Sequence, residues 1–198
     1  VSKGPSPGNL WVIGYGTLLL QASLGTSIRQ NAAAAKHYVP VVVQGYRRLF
    51  NIRPDHYVPS HKLATEAEEA AAMNIETAPA HHFNGLAFCV TAEELRALDR
   101  RECCYKRHQV SFSDFKSREI LGEAAVYVGC EPWIVRDPKR LMPLWRDIVW
   151  ARHGAYQYGE AFGASFDETT YLADGATRVI DVYREQLADP GDVDFPNA

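Results

Sequence analysis

The 198-residue sequence has no long apolar run: segments 10–13 and 38–43 are among its longest, far short of the roughly 20 residues a bilayer-crossing helix needs. It also lacks an excess of either charge, with 21 basic and 24 acidic residues mixed along the chain and a formal net charge of -3. Such a balance supplies no field for nucleic acid or an anionic membrane, so neither is expected as a partner. Cysteine is sparse, and Cys89, Cys103, Cys104 and Cys130 have neither the density nor the spacing of a disulfide scaffold. Reduced thiols and the absence of a signal-peptide pattern lead to the expectation of a soluble, cytoplasmic protein. The seven histidines form no zinc spacing with the cysteines, and the sequence contains neither a dinucleotide fingerprint nor a Gly-Lys-Ser/Thr phosphate loop. No metal and no cofactor is expected.

A hydrophobic fraction of 46% and a charged fraction of 23% are those of an ordinary globular chain, long enough to bury a core without metal or disulfides. Residues 10–188 read as one catalytic domain between flexible tails at 1–9 and 189–198. Leu10 to Ile13 is a compact strand signal, and Gly14-Tyr15-Gly16-Thr17 follows where a buried strand would leave its sheet. Segments 39–44 and 47–52 are β-prone, with Arg47 and Arg48 expected on an exposed side. From Arg53 to His82 the pattern weakens, interrupted by Pro54, Pro59 and Pro79; it reads as a long excursion with one brief strand at 73–75.

A strand at 85–90 comes next, and Thr91 with Glu94 makes a capping box for a helix that carries Leu95 and Leu98 on one face. That helix delivers Glu102 to its C-terminal end. Strands are expected at 105–112 and 123–128, then a mainly helical C-terminal third in which Leu141 to Tyr158 reads as helical, Gly154 as an interruption, Asp174-Gly175 as a helix end and 179–187 as a last helix. This order fits an α+β fold, a compact mixed β-sheet or small β-barrel with peripheral helices.

Two places carry residues suited to chemistry. At the first, backbone N–H groups of Gly16, Thr17 and Leu18 with the Thr17 hydroxyl suit a small anion, unless the glycines merely permit a tight strand exit. At the second, Glu102 stands among Leu98, Cys103, Cys104 and Tyr105. Facing a pocket it would be a desolvated proton acceptor; facing water it would pair with Arg101 or Lys106. Cys103 and Cys104 lack the spacing of a redox pair and read as core packing. Arg47, Arg48, Lys106 and Arg107 could neutralise a substrate carboxylate or make ordinary ion pairs. Aromatics from Trp133 to Phe166 read as core and pocket-wall material.

The segments VIGYGTLL (residues 12–19) and FNGLAFCVTAEELRALDRRECCYKRHQV (residues 83–110) resemble, in order, the two motif blocks of the γ-glutamylcyclotransferase-like superfamily. The matching residues are Tyr15-Gly16-Thr17-Leu18 and Leu98-Asp99-Arg100-Arg101-Glu102, with Tyr105 beyond. The resemblance spans about residues 10 to 130. Leu18 stands where the Tyr-Gly-Ser-Asn form has asparagine, and Cys103-Cys104 replaces a glycine-containing turn. The resemblance implies Glu102 as catalytic base, Tyr15, Gly16, Thr17, Leu18 and Tyr105 as substrate-binding residues, and a γ-glutamyl amide as small-molecule partner. Attack of the substrate's α-amine on its γ-carbonyl would release 5-oxoproline and an amine. The alternatives are an amide hydrolase or amidotransferase in the same pocket, or a binding protein without activity.

Overall fold

The computed structural model describes residues 10–26, 28, 30–54, 69–189 and 194–195. The expected tail at 1–9, residues 55–68 of the excursion expected from Arg53 to His82 and most of the tail at 189–198 lie outside them. β1 (Leu10–Gly14) buries its last three residues and pairs antiparallel with the end of β3 (Glu69–Val90) and parallel with β5 (Ile120–Gly129). β5 pairs antiparallel with β4 (Tyr105–Asp114), β4 with β2 (Val39–Ile52), and β2 along most of its length with β3. The circuit β3-β1-β5-β4-β2 therefore closes on itself as a five-stranded barrel, which removes the unpaired edges an open sheet of these strands would carry. Two short parallel additions extend it: β6 (Leu141–Pro143) on β3 and β7 (Thr170–Tyr171) on β2. Val12, Val41, Phe88, Phe112 and Val126 belong to one continuous buried cluster. Of the two architectures the sequence allowed, the barrel is the one formed.

β3 is the main departure from expectation. The strands read at 73–75 and 85–90 are one element of 22 residues. Pro79 fits within it because Thr77 pairs with Tyr46 and His82 with Gln44, so residues 78–81 bulge against Gly45 at φ 83°. The missing N–H of Pro79 falls where β2 offers it no ladder bond.

The helices Ala92–Arg101 and Glu160–Glu168 pack against β3. After β1 a 3-10 turn (Thr17–Leu19) leads into the short helices α1 (Gln21–Gly25) and α2 (Gln30–Ala34). α3 (Ala92–Arg101) starts at the expected capping box: the Glu94 N–H donates to Thr91 Oγ1 and the Thr91 N–H to Glu94 Oε2. α3 is docked by Leu95 and Leu98, both buried, at about 1.5–3 kcal/mol each. Where one helix was expected over 141–158, β6 comes first and α4 (Trp145–Tyr156) follows. α4 runs through Gly154 uninterrupted, because that glycine is a close approach: a Cβ there would lie 2.6 Å from the Leu19 carbonyl carbon and 2.7 Å from Leu20 N. α5 (Glu160–Glu168) ends before Asp174-Gly175, which forms a turn instead, and α6 (Val179–Ala188) closes the C-terminal part. No helix among the described residues is long and apolar enough to cross a membrane.

Candidate functional site

Where β1 ends, the chain turns sharply back on itself: a Cβ at Gly14 would lie 2.7 Å from Leu18 Cβ. The 3-10 turn that follows uses its carbonyls early, Gly16 O accepting from Leu19 N–H and Thr17 O from Leu20 N–H. The N–H groups of Thr17 and Leu18 fall in its first turn, where a helix has no internal acceptors for them. Opposite lies the end of α3. Glu102 is its C-cap, its N–H donating to Leu98 O and its carbonyl accepting from Tyr105 N–H.

A cavity of about 640 Å³ separates the two. Tyr15, Gly16, Thr17, Leu18, Glu102 and Tyr105 all line it, so the structure brings together every residue the sequence singled out for the site. Arg101 links the two sides directly. Its Nε lies 3.2 Å from Glu102 Oε1, while its terminal nitrogens donate to Thr17 Oγ1 at 3.2 Å, Ser23 Oγ at 3.1 Å and Ser23 O at 2.7 Å. Thr17 Oγ1 thus accepts from Arg101, a bond that does not use the hydroxyl's own O–H, the donor the sequence suggested toward a ligand.

The Glu102 side chain keeps only 15% of its exposure. Burial pushes its carboxyl above the usual carboxylate value, and Arg101 opposes that rise. The position at a helix C-terminus acts in the same direction as burial, since the carbonyl ends of α3 disfavour a negative charge there. The two phenols are committed elsewhere: Tyr15 donates to Tyr127 O at 2.7 Å and Tyr105 to Met73 O at 2.7 Å. Burial and the nearby Glu102 hold the Tyr15 hydroxyl well above its ordinary value, so its ring is a wall that stays protonated.

Of the four basic residues weighed as carboxylate partners, none lines the cavity. Arg47 pairs with Glu76 and Arg107 with Asp99, and Lys106 is exposed on β4. Arg48 is not exposed at all, which corrects the expectation from its strand. It donates to Thr170 Oγ1, Thr169 Oγ1, Asn84 O, Asn84 Oδ1, Phe166 O and, at 3.2 Å, Tyr15 O. Burial lowers its pKa to about 9, so it remains a cation at neutral pH, set behind the turn that starts at Tyr15.

The cations that do line the cavity are Arg100, Arg101 and Arg146, accompanied by Asp147 and Trp150 from the first turns of α4. Arg146 stacks over Trp150 at 4.9 Å and lies 3.4 Å from Asp147 Oδ1. Trp150 is among the aromatics the sequence read as core or pocket-wall material, whereas Arg146 and Asp147 went unremarked; their one available signal was an acid beside an arginine at a helix start. Among the described residues no group of three or more His, Cys, Asp or Glu side chains is arranged to hold a metal ion.

No family model and no curated protein sequence matches the chain. Solved structures do. An uncharacterized protein from Homo sapiens, loc79017, superposes with a TM-score of 0.58 at 13% identity, over 96% of this chain and 93% of that one. A γ-glutamyl cyclotransferase superposes with 0.57 at 12% identity, over 96% and 92%. YkqA from Bacillus subtilis gives 0.61 at 12% identity over 81% of this chain, which spans 53% of that longer protein. At such identities the likeness is one of architecture, and it extends over nearly the whole chain: this protein has the γ-glutamylcyclotransferase-like fold.

Proposed function

We propose that the protein cleaves a γ-glutamyl amide by intramolecular cyclisation, releasing 5-oxoproline and an amine or amino acid. The observation that carries this reading is the desolvated Glu102 carboxylate facing the Tyr15–Leu18 turn across one cavity. The fold shared with a γ-glutamyl cyclotransferase supports it independently.

In this reading the turn N–H groups hold the substrate's α-carboxylate, which brings its α-amine toward Glu102. Folding amine and γ-carbonyl into one pose makes the attack unimolecular, an advantage equivalent to effective molarities of about 10⁵–10⁸ M. Glu102 takes a proton from the amine as the new C–N bond forms. It returns that proton to the departing nitrogen as the old C–N bond breaks. Desolvation makes the carboxylate more basic, and Arg101 beside it favours the ionised form. Such a reaction needs a base and an anion seat but no protein nucleophile.

The test is a panel of γ-glutamyl amino acids, glutathione and γ-glutamyl amines, with 5-oxoproline and the released amine both measured by mass spectrometry. Equal amounts of the two are expected from at least one compound. Glutamate released without 5-oxoproline would replace cyclisation by hydrolysis, and no turnover across the panel would leave a binding protein.

A further inference from the structure

Cys103 and Cys104 occupy the turn directly after Glu102, and the proposed reaction makes no use of them. The sequence suggested core packing for both, but the structure divides them. Cys103 is exposed, whereas Cys104 keeps 4% of its exposure. Their sulfurs nevertheless lie only 3.9 Å apart. We propose that the two thiols are a reversible oxidation site, closing as a vicinal disulfide that reshapes the turn carrying Glu102.

The division of exposure suits a two-step oxidation by a peroxide. The Cys103 thiolate attacks the peroxide O–O bond, giving a sulfenic acid at Cys103 and releasing water or an alcohol. The Cys104 thiol then displaces hydroxide from the Cys103 sulfur, and the displaced group leaves as water with the thiol's proton. One two-electron oxidant is consumed and both thiols are oxidised. Cys104, shielded from bulk oxidant, acts as the resolving sulfur a short side-chain movement away.

Closure cannot leave the backbone unchanged. Neighbouring Cα atoms are about 3.8 Å apart across a trans peptide, below the roughly 4.4–6.8 Å span of relaxed disulfides. The strain must therefore enter the turn. On its C-terminal side the turn is anchored: Cys104 O accepts from both Cys130 N–H at 3.3 Å and Cys130 Sγ at 3.4 Å, and Tyr105 pairs with Gly129 in the barrel. Glu102 N–H is held by Leu98 O at 2.9 Å, so the part able to yield is the peptide group from the Glu102 carbonyl to Cys103. The bond at risk is the one from Tyr105 N–H to Glu102 O, 3.0 Å long, which closes the turn around the two cysteines. A strained disulfide is also readily reduced, as a switch requires. The effect on turnover rests on the function proposed above; the modification and the turn's response do not.

The experiment oxidises the full chain with hydrogen peroxide and maps it without reduction. Trypsin cuts after Arg101 and Lys106 and isolates both thiols in one peptide, 102–106. The expected result is a loss of about 2 Da confined to that peptide, faster amide hydrogen exchange at Tyr105, and at least a tenfold fall in 5-oxoproline formation. All three reverse with dithiothreitol, and Cys103→Ser keeps its basal turnover while resisting peroxide. A disulfide to Cys130, overoxidation of Cys103 without an intrachain bond, or a vicinal disulfide that leaves Tyr105 exchange and turnover unchanged would overturn the proposal. If the protein turns over no γ-glutamyl compound, mass and exchange still decide the matter, so failure of the two readings is distinguishable.

Discussion

Replacing Glu102 by glutamine separates chemistry from structure. The change keeps the side chain's size and its ability to accept from Arg101 Nε, while removing its capacity to carry a proton between nitrogens. Losing a positioned general base costs about 100-fold or more, which is about 2.7 kcal/mol of barrier, so 5-oxoproline formation should fall by at least that factor with substrate affinity largely kept. Arg101 should stay in place, because Ser23 O, Ser23 Oγ and Thr17 Oγ1 still hold it. Stability moves in a direction the electrostatics fix. Because burial outweighs Arg101 and raises the Glu102 pKa, the folded protein binds that proton more tightly than the unfolded chain does. Wild-type stability must then fall as pH rises from the unperturbed value of 4.5 through the raised folded value, and Glu102→Gln removes this contribution. At neutral pH the variant should therefore be at least as stable as wild type.

Two measurements carry this test. Thermal melting of both proteins across the acidic range should give curves that converge below the usual carboxylate pKa and separate above it, with the variant on top. In the pH profile of kcat/KM, the acidic limb of the wild type should rise across a pKa displaced upward from that of an ordinary glutamate. Equal turnover by wild type and variant would remove Glu102 as the base. A variant that loses stability and activity in parallel would make the carboxylate a structural group and refute the electrostatic argument.

Local chemistry was legible in the sequence wherever neighbours in the chain determine it. The strand at Leu10, the capping box at Thr91 and the helix that ends at Glu102 depend on contacts a few residues apart, and each was read within a residue or two. Pro79 misled because a proline's effect depends on whether its partner strand has a bond to lose, and the bulge against Gly45 is set by the register of β2 on β3. Gly154 read as a helix break because the backbone it packs against belongs to Leu19 and Leu20, far away in sequence. Arg48 was the largest error of placement. Residues that accept its hydrogen bonds lie between 33 and 122 positions away, so nothing beside it in the chain signals a buried cation. The same holds for Arg146 and Asp147 in the cavity's α4 wall, where Gly154 lets α4 settle closely onto the 3-10 turn.

Two further substitutions test how the turn is held. Thr17→Val removes the acceptor for one Arg101 donor while leaving the turn's backbone N–H groups intact; about 1 kcal/mol of positioning should be lost, a roughly fivefold rise in KM with kcat little changed, and a fall in kcat alone would contradict it. Arg48 poses the sharper question, since a wholly buried cation held by neutral oxygens is costly unless every donor is used. Arg48→Met takes away the donors but leaves Tyr15 O, Asn84 O, Asn84 Oδ1 and Phe166 O inside the protein, so relief from desolving the charge is set against several weakened acceptors. Breaking a buried charged network typically costs about 3–5 kcal/mol, and at about 2–4 °C per kcal/mol for a chain of this size the melting temperature should drop by roughly 6–20 °C. Arg48→Lys keeps a charge with three donors but not the planar fork that spans Tyr15, Asn84 and α5, and should recover only part of that loss. Both variants, assayed well below their melting points, should show a raised KM, because Tyr15 O is the point at which Arg48 grips the turn proposed to seat the substrate's carboxylate. If Arg48→Met melts with wild type, the acceptors have found other donors and the network does not anchor the fold; if it melts early but binds substrate normally, Arg48 stabilises the barrel without positioning the turn.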